Sequence, residues 1–252
     1  LGQRGLLQRC VSKKRQMKTA IIWFTNDLRV DDHPGLAAAT QQNDQVIAYY
    51  CFDPADYAVT TWGFRKTGDF RARFIAESLE ELARALSALG IELCYHQGDT
   101  EEGLAQLAEK HQAHQIYTQN HWMPEERARI ERCQQWCSAA WVFHHNSLLI
   151  DPEDLGMNLE DLPWIFTEFR KKIERNLRIR PAVQARKMSD SCPPIHPIPE
   201  LTSWNIQPVS PPSHTAFPFR GGGASALERL HHYTFGTQKV AWYKHTRNGM
   251  LG

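Results

Sequence analysis

Between residues 18 and 150 the chain alternates short strand-like runs with amphipathic segments, and this alternation restricts the fold more than any other feature. Residues 19–24 (TAIIWF), 45–53 (QVIAYYCFD), 91–99 (IELCYHQGD), 114–120 (HQIYTQN) and 141–150 (WVFHHNSLLI) read as strands. The segments between them, 35–42, 66–89, 101–112 and 124–137, are compatible with helix. In the longest of these, Phe70, Phe74, Ile75, Leu79, Leu82, Leu86 and Leu89 recur at helical spacing, and Gly90 is a natural stop. Pro124 suits the first turn of its helix. Strands separated by helices require parallel crossovers, so the expected fold is α/β: a doubly wound five-stranded parallel sheet with helices on both faces.

Ligands of such sheets bind beyond the carboxyl ends of the strands. That rule points to Asn26, Asp27, Arg29 and Asp31 after the first strand and Asp53 after the second. It also points to Gly98 and Asp99 after the third and to residues 119–122 after the fourth. No GxGxxG follows the first strand and no GxxxxGK[ST] occurs, which excludes a standard dinucleotide fold and a P-loop. A buried Asp27/Arg29 pair is the expected role of the first turn. His144 and His145, adjacent in a strand, point to opposite faces and make no joint metal site; no metal is expected.

Beyond residue 150 the alternation ends. Residues 161–175 read as a helix with Ile165, Phe166, Phe169 and Ile173 on its apolar side. Residues 180–218 carry nine prolines, a density that forbids long helices and central strands and predicts an extended surface course. Residues 224–244 are helix-compatible again, with Leu227, Leu230, Phe235, Val240 and Trp242 available for burial. The expected organisation is a leader or non-native extension at 1–16 and an α/β domain at 17–150. A helix and proline-rich linker follow at 151–216, then the incomplete start of a second, helical domain at 217–252.

Formal net charge is +1, so overall charge does not call for a nucleic-acid partner. No run reaches the length of a membrane span, and no membrane partner is expected. The six cysteines lack CxxC or finger-like spacing, which suits a reducing, cytoplasmic setting. Residues 1–16 are basic, lack acids and precede Met17; organelle targeting follows if they are the remnant of a leader.

Several colinear segments carry a resemblance: IIWFTNDLRVDDHPGL, KTGDFRARFIAESLEEL, LEDLPWIFTEFRKKIE, FPFRGG and TRNGMLG. Together they resemble the photolyase/cryptochrome family, and most of all its DASH-type cryptochromes. The resemblance implies an α/β domain able to hold a light-harvesting antenna, a long linker, and an all-helical domain that binds FAD. In the family, excited reduced FAD passes an electron to a cyclobutane pyrimidine dimer and recovers it after the ring splits. DASH members are associated with single-stranded DNA, where a lesion need not be unstacked from a duplex, and with light signalling. A monomer is expected.

Carried over by residue, the resemblance places Tyr243 near the FAD phosphates and Arg247 on a phosphate of bound DNA, where a guanidinium fork is well suited. Catalytic residues are expected beyond Gly252, so the chain alone is expected to be inactive. Family members with a methenyltetrahydrofolate antenna place a glutamate in the loop after strand four. Here that loop reads QNHWMP, and Glu125 and Glu126 already belong to the next helix, which argues against folate. Asn120 and His121 could still hydrogen-bond a heterocycle and Trp122 could stack on one. The alternative to a photolyase-type protein is a stand-alone nucleotide- or pterin-binding module, or a non-catalytic interaction module.

Overall fold

A computed structural model describes residues 17–174, 177, 179–204, 206, 207, 209, 210 and 219–246. Its centre is a sheet of β1 (Thr19–Trp23), β2 (Gln45–Phe52), β3 (Glu92–Gln97), β4 (Gln115–Gln119) and β5 (Ala140–His144). All neighbours pair in parallel, in the order β3-β2-β1-β4-β5. The crossovers are α1 (Pro34–Gln42), the one-turn α2 (Pro54–Tyr57) with the long α3 (Asp69–Ala88), α4 (Thr100–Lys110) and α5 (Pro124–Trp136). The doubly wound sheet expected from the alternation is therefore what forms. Its order reverses on either side of β1, which makes the carboxyl ends of β1 and β4 the switch point.

β1 shows why both faces are covered. Ala20, Ile22 and Phe24 point into one core, with Leu36 and Ala39 of α1 and Leu79, Leu82 and Leu86 of α3. Ile21 and Trp23 point into the other, with Leu104 of α4 and Ile130 and Cys133 of α5. The period of two divides one apolar run between two helical layers. Each fully buried Ile or Phe contributes about 1.5–3 kcal/mol.

α3 ends where its glycine predicts. Gly90 adopts φ +76°, the amide of Ile91 donates to the Leu86 carbonyl and that of Gly90 to the Ser87 carbonyl, so the last turn is closed. Not all of its apolar stripe is buried, however. Phe70 and Phe74 stay mostly exposed, and in the first turns of α3 it is Ala72 that meets the core.

Two helices differ from expectation. Among the described residues of the 161–175 segment, the α-helix covers Phe166–Glu174, here α6, after a separate 3-10 turn at Leu159–Asp161. Pro163 between them removes an amide and restrains the residue before it. Ile165 and Phe166 are exposed, and Ile173 supplies the buried contact. The 224–244 segment is broken as well, into α7 (Gly223–His231), a π-helical turn (His232–Gly236), a 3-10 turn (Lys239–Trp242) and α8 (Tyr243–Thr246). Gln238 sits at φ 53°, a left-handed conformation that no continuous helix accommodates. Leu227, Leu230, Phe235, Val240 and Trp242, expected to be available for burial, are exposed.

The described residues of the proline-rich stretch form no strand and no helix longer than the 3-10 turn Thr202–Trp204, as the composition requires, and they are fastened to the domain. Val183 donates its amide to Asp32 (3.1 Å), Met188 to the Leu89 carbonyl (2.8 Å) and Gln207 to Asp69 (3.2 Å). Leu201 and Ile206 are buried in the α1/α3 core. Arg186 makes the densest attachment. Its Nε donates to the Thr40 carbonyl (2.8 Å), its Nη2 to the Asn43 carbonyl (3.0 Å) and its amide to Thr40 Oγ1 (3.0 Å). A distant arginine thus satisfies carbonyls at the end of α1 that the helix cannot. Further on, Gly221 and Ala224 donate their amides to Glu77 and Glu81, which seats the start of α7 on α3. No described helix is long and apolar enough to cross a membrane.

Arg186→Ala removes both carbonyl contacts and should lower stability by about 1–3 kcal/mol. Urea unfolding followed by circular dichroism checks this; a change below about 0.5 kcal/mol, the usual effect of a surface substitution, would contradict it.

Candidate functional site

The turn after β1 is built around one buried carboxylate. Asp27 is only 5 % exposed, and its Oδ1 accepts the Thr25 amide (3.1 Å). Its Oδ2 accepts Asn146 Nδ2 (3.0 Å) and lies 3.0 Å from His33 Nε2 and 3.6 Å from His144 Nε2. The expected direct Asp27/Arg29 pair does not form. Arg29 instead grips the Asp31 and Asp32 carbonyls (3.1 Å each) and Asn146, which stands between the two charges. The reason is reach: Arg29 turns outward to brace its own loop, while the His33 and His144 rings fill the space beside the carboxylate.

His144 and His145 do diverge, but His144 finds partners from elsewhere in the chain. One ligand atom from each of Asp27, His33 and His144 lies within 4.8 Å of the others. The hydrogen bonding argues for a clamp rather than a cation site. The Leu36 amide donates to His33 Nδ1 (3.0 Å), so a neutral ring carries its proton on Nε2, facing Asp27. A cation on that nitrogen would have to displace the proton while the other nitrogen kept accepting. Burial alone would raise the Asp27 pKa, but His144, His33 and Asn146 outweigh it and hold the carboxyl well below its ordinary value. Burial lowers His144, against the opposing pull of Asp27, and keeps the ring neutral.

Beside this clamp, a cavity of about 250 Å³ opens at the carboxyl ends of β1 and β2 and at the loop after β4. Its lining includes the apolar and aromatic Tyr50, Tyr57, Phe74 and Ile75 and the polar Thr25, Asn26 and His121. The rim is charged. Arg129 of α5 forks onto Asp56 of α2 (2.8 and 2.7 Å), and Lys66 bridges Asp56 (3.1 Å) and Glu125. Burial opposes these charges. The arginine and lysine nevertheless hold the Asp56 carboxyl below its ordinary value. Asp53 lies outside the cavity lining and organises the helices around it. Its Oδ1 accepts the Ala55 amide (2.9 Å) at the start of α2, and its Oδ2 accepts Thr100 Oγ1 (2.6 Å) at the start of α4.

Of the three antenna candidates, His121 lines the cavity and Asn120 and Trp122 do not. His121 is buried, with Nε2 3.0 Å from Thr25 Oγ1, and burial lowers its pKa. The Asn120 amide extends the β4–β5 pairing by donating to the His144 carbonyl (2.8 Å). Trp122 stacks on His145, ring centroids 5.4 Å apart and planes 17° apart. Glu125 and Glu126, set aside because they belong to α5, do line the cavity, since the first turn of that helix starts above the sheet's edge. Pro124 at the helix start was the available signal. Arg71, Lys66 and Arg129 were invisible as cavity residues because they come from helices and a loop far apart in sequence. Tyr243 begins α8 and is 58 % exposed; Arg247 lies outside the described residues.

A doubly wound α/β domain with a mixed aromatic and charged cavity beyond the carboxyl ends of its strands has the arrangement in which sheets of this kind hold ligands. Residues 20–189 match the family model described as DNA photolyase. The chain is 36% identical over 241 residues to the cryptochrome DASH of Gloeobacter violaceus, an alignment covering 93% of this chain and 48% of that protein. It superposes on the Synechocystis cryptochrome with TM-score 0.77 at 31% identity, over 92% of this chain and 49% of that one. The fold is also that of an archaeal photolyase from Sulfolobus tokodaii solved with two FAD molecules (TM-score 0.64, 21% identity, 84% and 46% covered). The chain belongs to the DNA photolyase family and is similar to its DASH cryptochromes. It spans about half the length of the relatives it matches.

Two outcomes follow from the charge states. Buried His121 and His144 refuse protons that the unfolded chain accepts near the ordinary histidine pKa, about 6.5. Unfolding free energy from urea titrations should therefore fall as pH drops from 8 to 5. The Asp27 contribution is complete above about pH 4, its unfolded value, and should be lost below that, towards its depressed folded pKa. Stability that stays level between pH 8 and 5 would contradict the clamp's charge assignment. Burial also pushes the Cys51 thiol to about 11, whereas Cys192 is exposed. Iodoacetamide at pH 8 should alkylate Cys192 and spare Cys51, as read by peptide mass spectrometry.

Proposed function

We propose that this chain is the α/β, light-harvesting portion of a DASH-type cryptochrome or photolyase. In the whole protein it would serve blue-light-driven repair of cyclobutane pyrimidine dimers, preferentially in single-stranded DNA, or light signalling. The observation that carries this is the family match over residues 20–189 together with a cavity at the switch point of the matched domain. FAD would supply the photochemical electron, held by a helical region that begins within residues 217–252. The docking of the α7 start on Glu77 and Glu81 supports a second folded unit arranged against α3. Tyr243 and Arg247 are proposed to approach the FAD phosphate region and a DNA phosphate.

The cavity is proposed as the antenna site. Trp23, Tyr50, Tyr57, Phe74 and His121 give it flat or aromatic walls, and its volume suits part of a heterocyclic chromophore rather than a macromolecule. The archaeal photolyase solved with two FAD molecules, with its implication of a novel light-harvesting cofactor, supports the same reading. Every residue lining the cavity falls between Trp23 and Arg129, which favours ligand binding by this domain itself and keeps a pterin- or nucleotide-binding module as the second reading.

The 252-residue chain, incubated with FAD and ultraviolet-irradiated oligothymidylate under blue light, should leave the dimers intact. A chain extended by a helical domain like that of its relatives should remove them, with single-stranded substrate preferred over duplex. Dimer loss is followed by chromatography of the oligonucleotide; an extended chain that binds no flavin would sink the proposal.

A further inference from the structure

The two edges of the sheet are guarded unequally. At the β3 edge, Glu92 pairs with His196 and Gln97 donates to the Glu200 carbonyl (3.3 Å), so the linker runs alongside. The β5 edge has no strand beyond it among the described residues, and its sequence, AWVFH, holds no acid, lysine, arginine, proline or glycine. β5 is also the one strand in which no residue is fully buried: Ala140 and Phe143 are exposed, and Trp141, Val142 and His144 are half-buried. An edge of this kind is a template for another strand, and proteins ordinarily blunt it with charge, proline or a covering segment.

Pairing with β4 fixes which groups stay free. The Ala140 amide donates to the His114 carbonyl (2.8 Å), and the His144 carbonyl accepts from Asn120 (2.8 Å). In the parallel register between these bonds, Ala140, Val142 and His144 face β4, while Trp141 and Phe143 turn their amides and carbonyls outward. No described residue hydrogen-bonds those outward groups. The Trp141 and Phe143 side chains share one face and stack, ring centroids 6.2 Å apart and planes 18° apart.

We propose that β5 is a self-pairing edge, along which two copies of this chain join antiparallel about a two-fold axis through Val142. In that register Trp141 of one copy lies opposite Phe143 of the other, and each such pair exchanges both backbone hydrogen bonds. Val142 faces its own counterpart in the non-hydrogen-bonded position, and Ala140 faces His144. A shift by two residues either way pairs Trp141 or Phe143 with itself and leaves the other without a partner inside β5. This self-complementary order favours a second copy over an unrelated strand. The aromatic side chains meet on one face, a favourable cross-strand pairing. Charge does not oppose it, since His144 is the only titratable residue of the strand and the chain's formal net charge is +1. A two-fold contact closes on itself and the β3 edge is guarded, so the product is a dimer rather than a fibre. One short strand per copy is a small contact, which makes the dimer reversible, with a Kd on the order of 10 µM. The monomer expected from the sequence is its dilute form.

Sedimentation equilibrium of the 252-residue chain tests this. The mean mass should rise from 29.0 kDa at about 1 µM towards twice that value at about 200 µM. Phe143→Lys, which puts a charge on the edge, should raise the Kd by about 10-fold or more, with circular dichroism matching the parent. Oxidative cross-linking locates the contact. In a Cys192→Ser parent, Val142→Cys should form a covalent dimer, because opposed non-hydrogen-bonded residues have Cα atoms about 4.5 Å apart. Ala140→Cys should not, because its counterpart lies roughly 14 Å away along the paired strands. Ala140 is the more exposed of the two, so random collision would give the opposite order. A mass that stays at 29.0 kDa throughout would overturn the proposal. So would a dimer that survives Phe143→Lys unchanged or cross-links equally well through Ala140→Cys.

Discussion

The buried carboxylate of Asp27 is the interaction on which the upper end of the sheet depends. It receives the Thr25 amide from its own turn, Asn146 from beyond β5, and contacts from His33 at the start of α1 and His144 at the end of β5. The turn after β1, the start of α1 and, from 119 residues away at Asn146, the end of β5 therefore converge on one charge. An ion so placed persists only if its lone pairs are filled, because desolvation alone would cost several kcal/mol. Gly35 shows how closely the parts are fitted: a methyl group there would meet the His144 ring at 2.1 Å. Thr25, which depends on this turn, is also a cavity residue that contacts His121. Structural clamp and candidate site thus share a wall.

Electrostatics also shape the cavity rim, but with a different balance. Asp56, Arg129, Lys66 and Glu125 come from α2, α5 and the loop before α3, and their pairing ties those elements together around the opening. Partly exposed pairs of this kind contribute modestly to stability, so their larger effect is positional. They draw the first turn of α5 over the ends of the strands. That placement brings Glu126 to the cavity wall while its neighbour Glu125 is occupied by Lys66.

The proline-rich stretch is a component of the domain rather than a tether beside it. Arg186 completes the end of α1, Met188 pairs with Leu89 just before the glycine that ends α3, and Leu201 and Ile206 enter the core. Extended chain without its own ladder must place its polar groups somewhere, and here it places many of them on the ends of helices. From there the chain returns to α3, where Glu77 and Glu81 receive the amides of Gly221 and Ala224. α3 thus carries the core on one side and the start of α7 on another.

The sheet, its parallel sense, the stop of α3 at Gly90 and the extended course of the linker were legible in the chain because they are local. They follow from periodicity, glycine conformation and proline's missing amide. The position after the fourth strand also pointed to His121, which lines the cavity, and equally to Asn120 and Trp122, which do not. The rest depended on contacts between distant residues. No spacing announces that Arg29 will turn away from Asp27, that His144 will join His33, or that Phe70 and Phe74 will stand clear of the core. Nor could spacing show that Glu125 and Glu126 reach the cavity from within a helix. Sequence alone determined the five strands and the helices between them; tertiary structure decided which charges meet, because burial and pairing arise only when elements far apart in the chain are packed together.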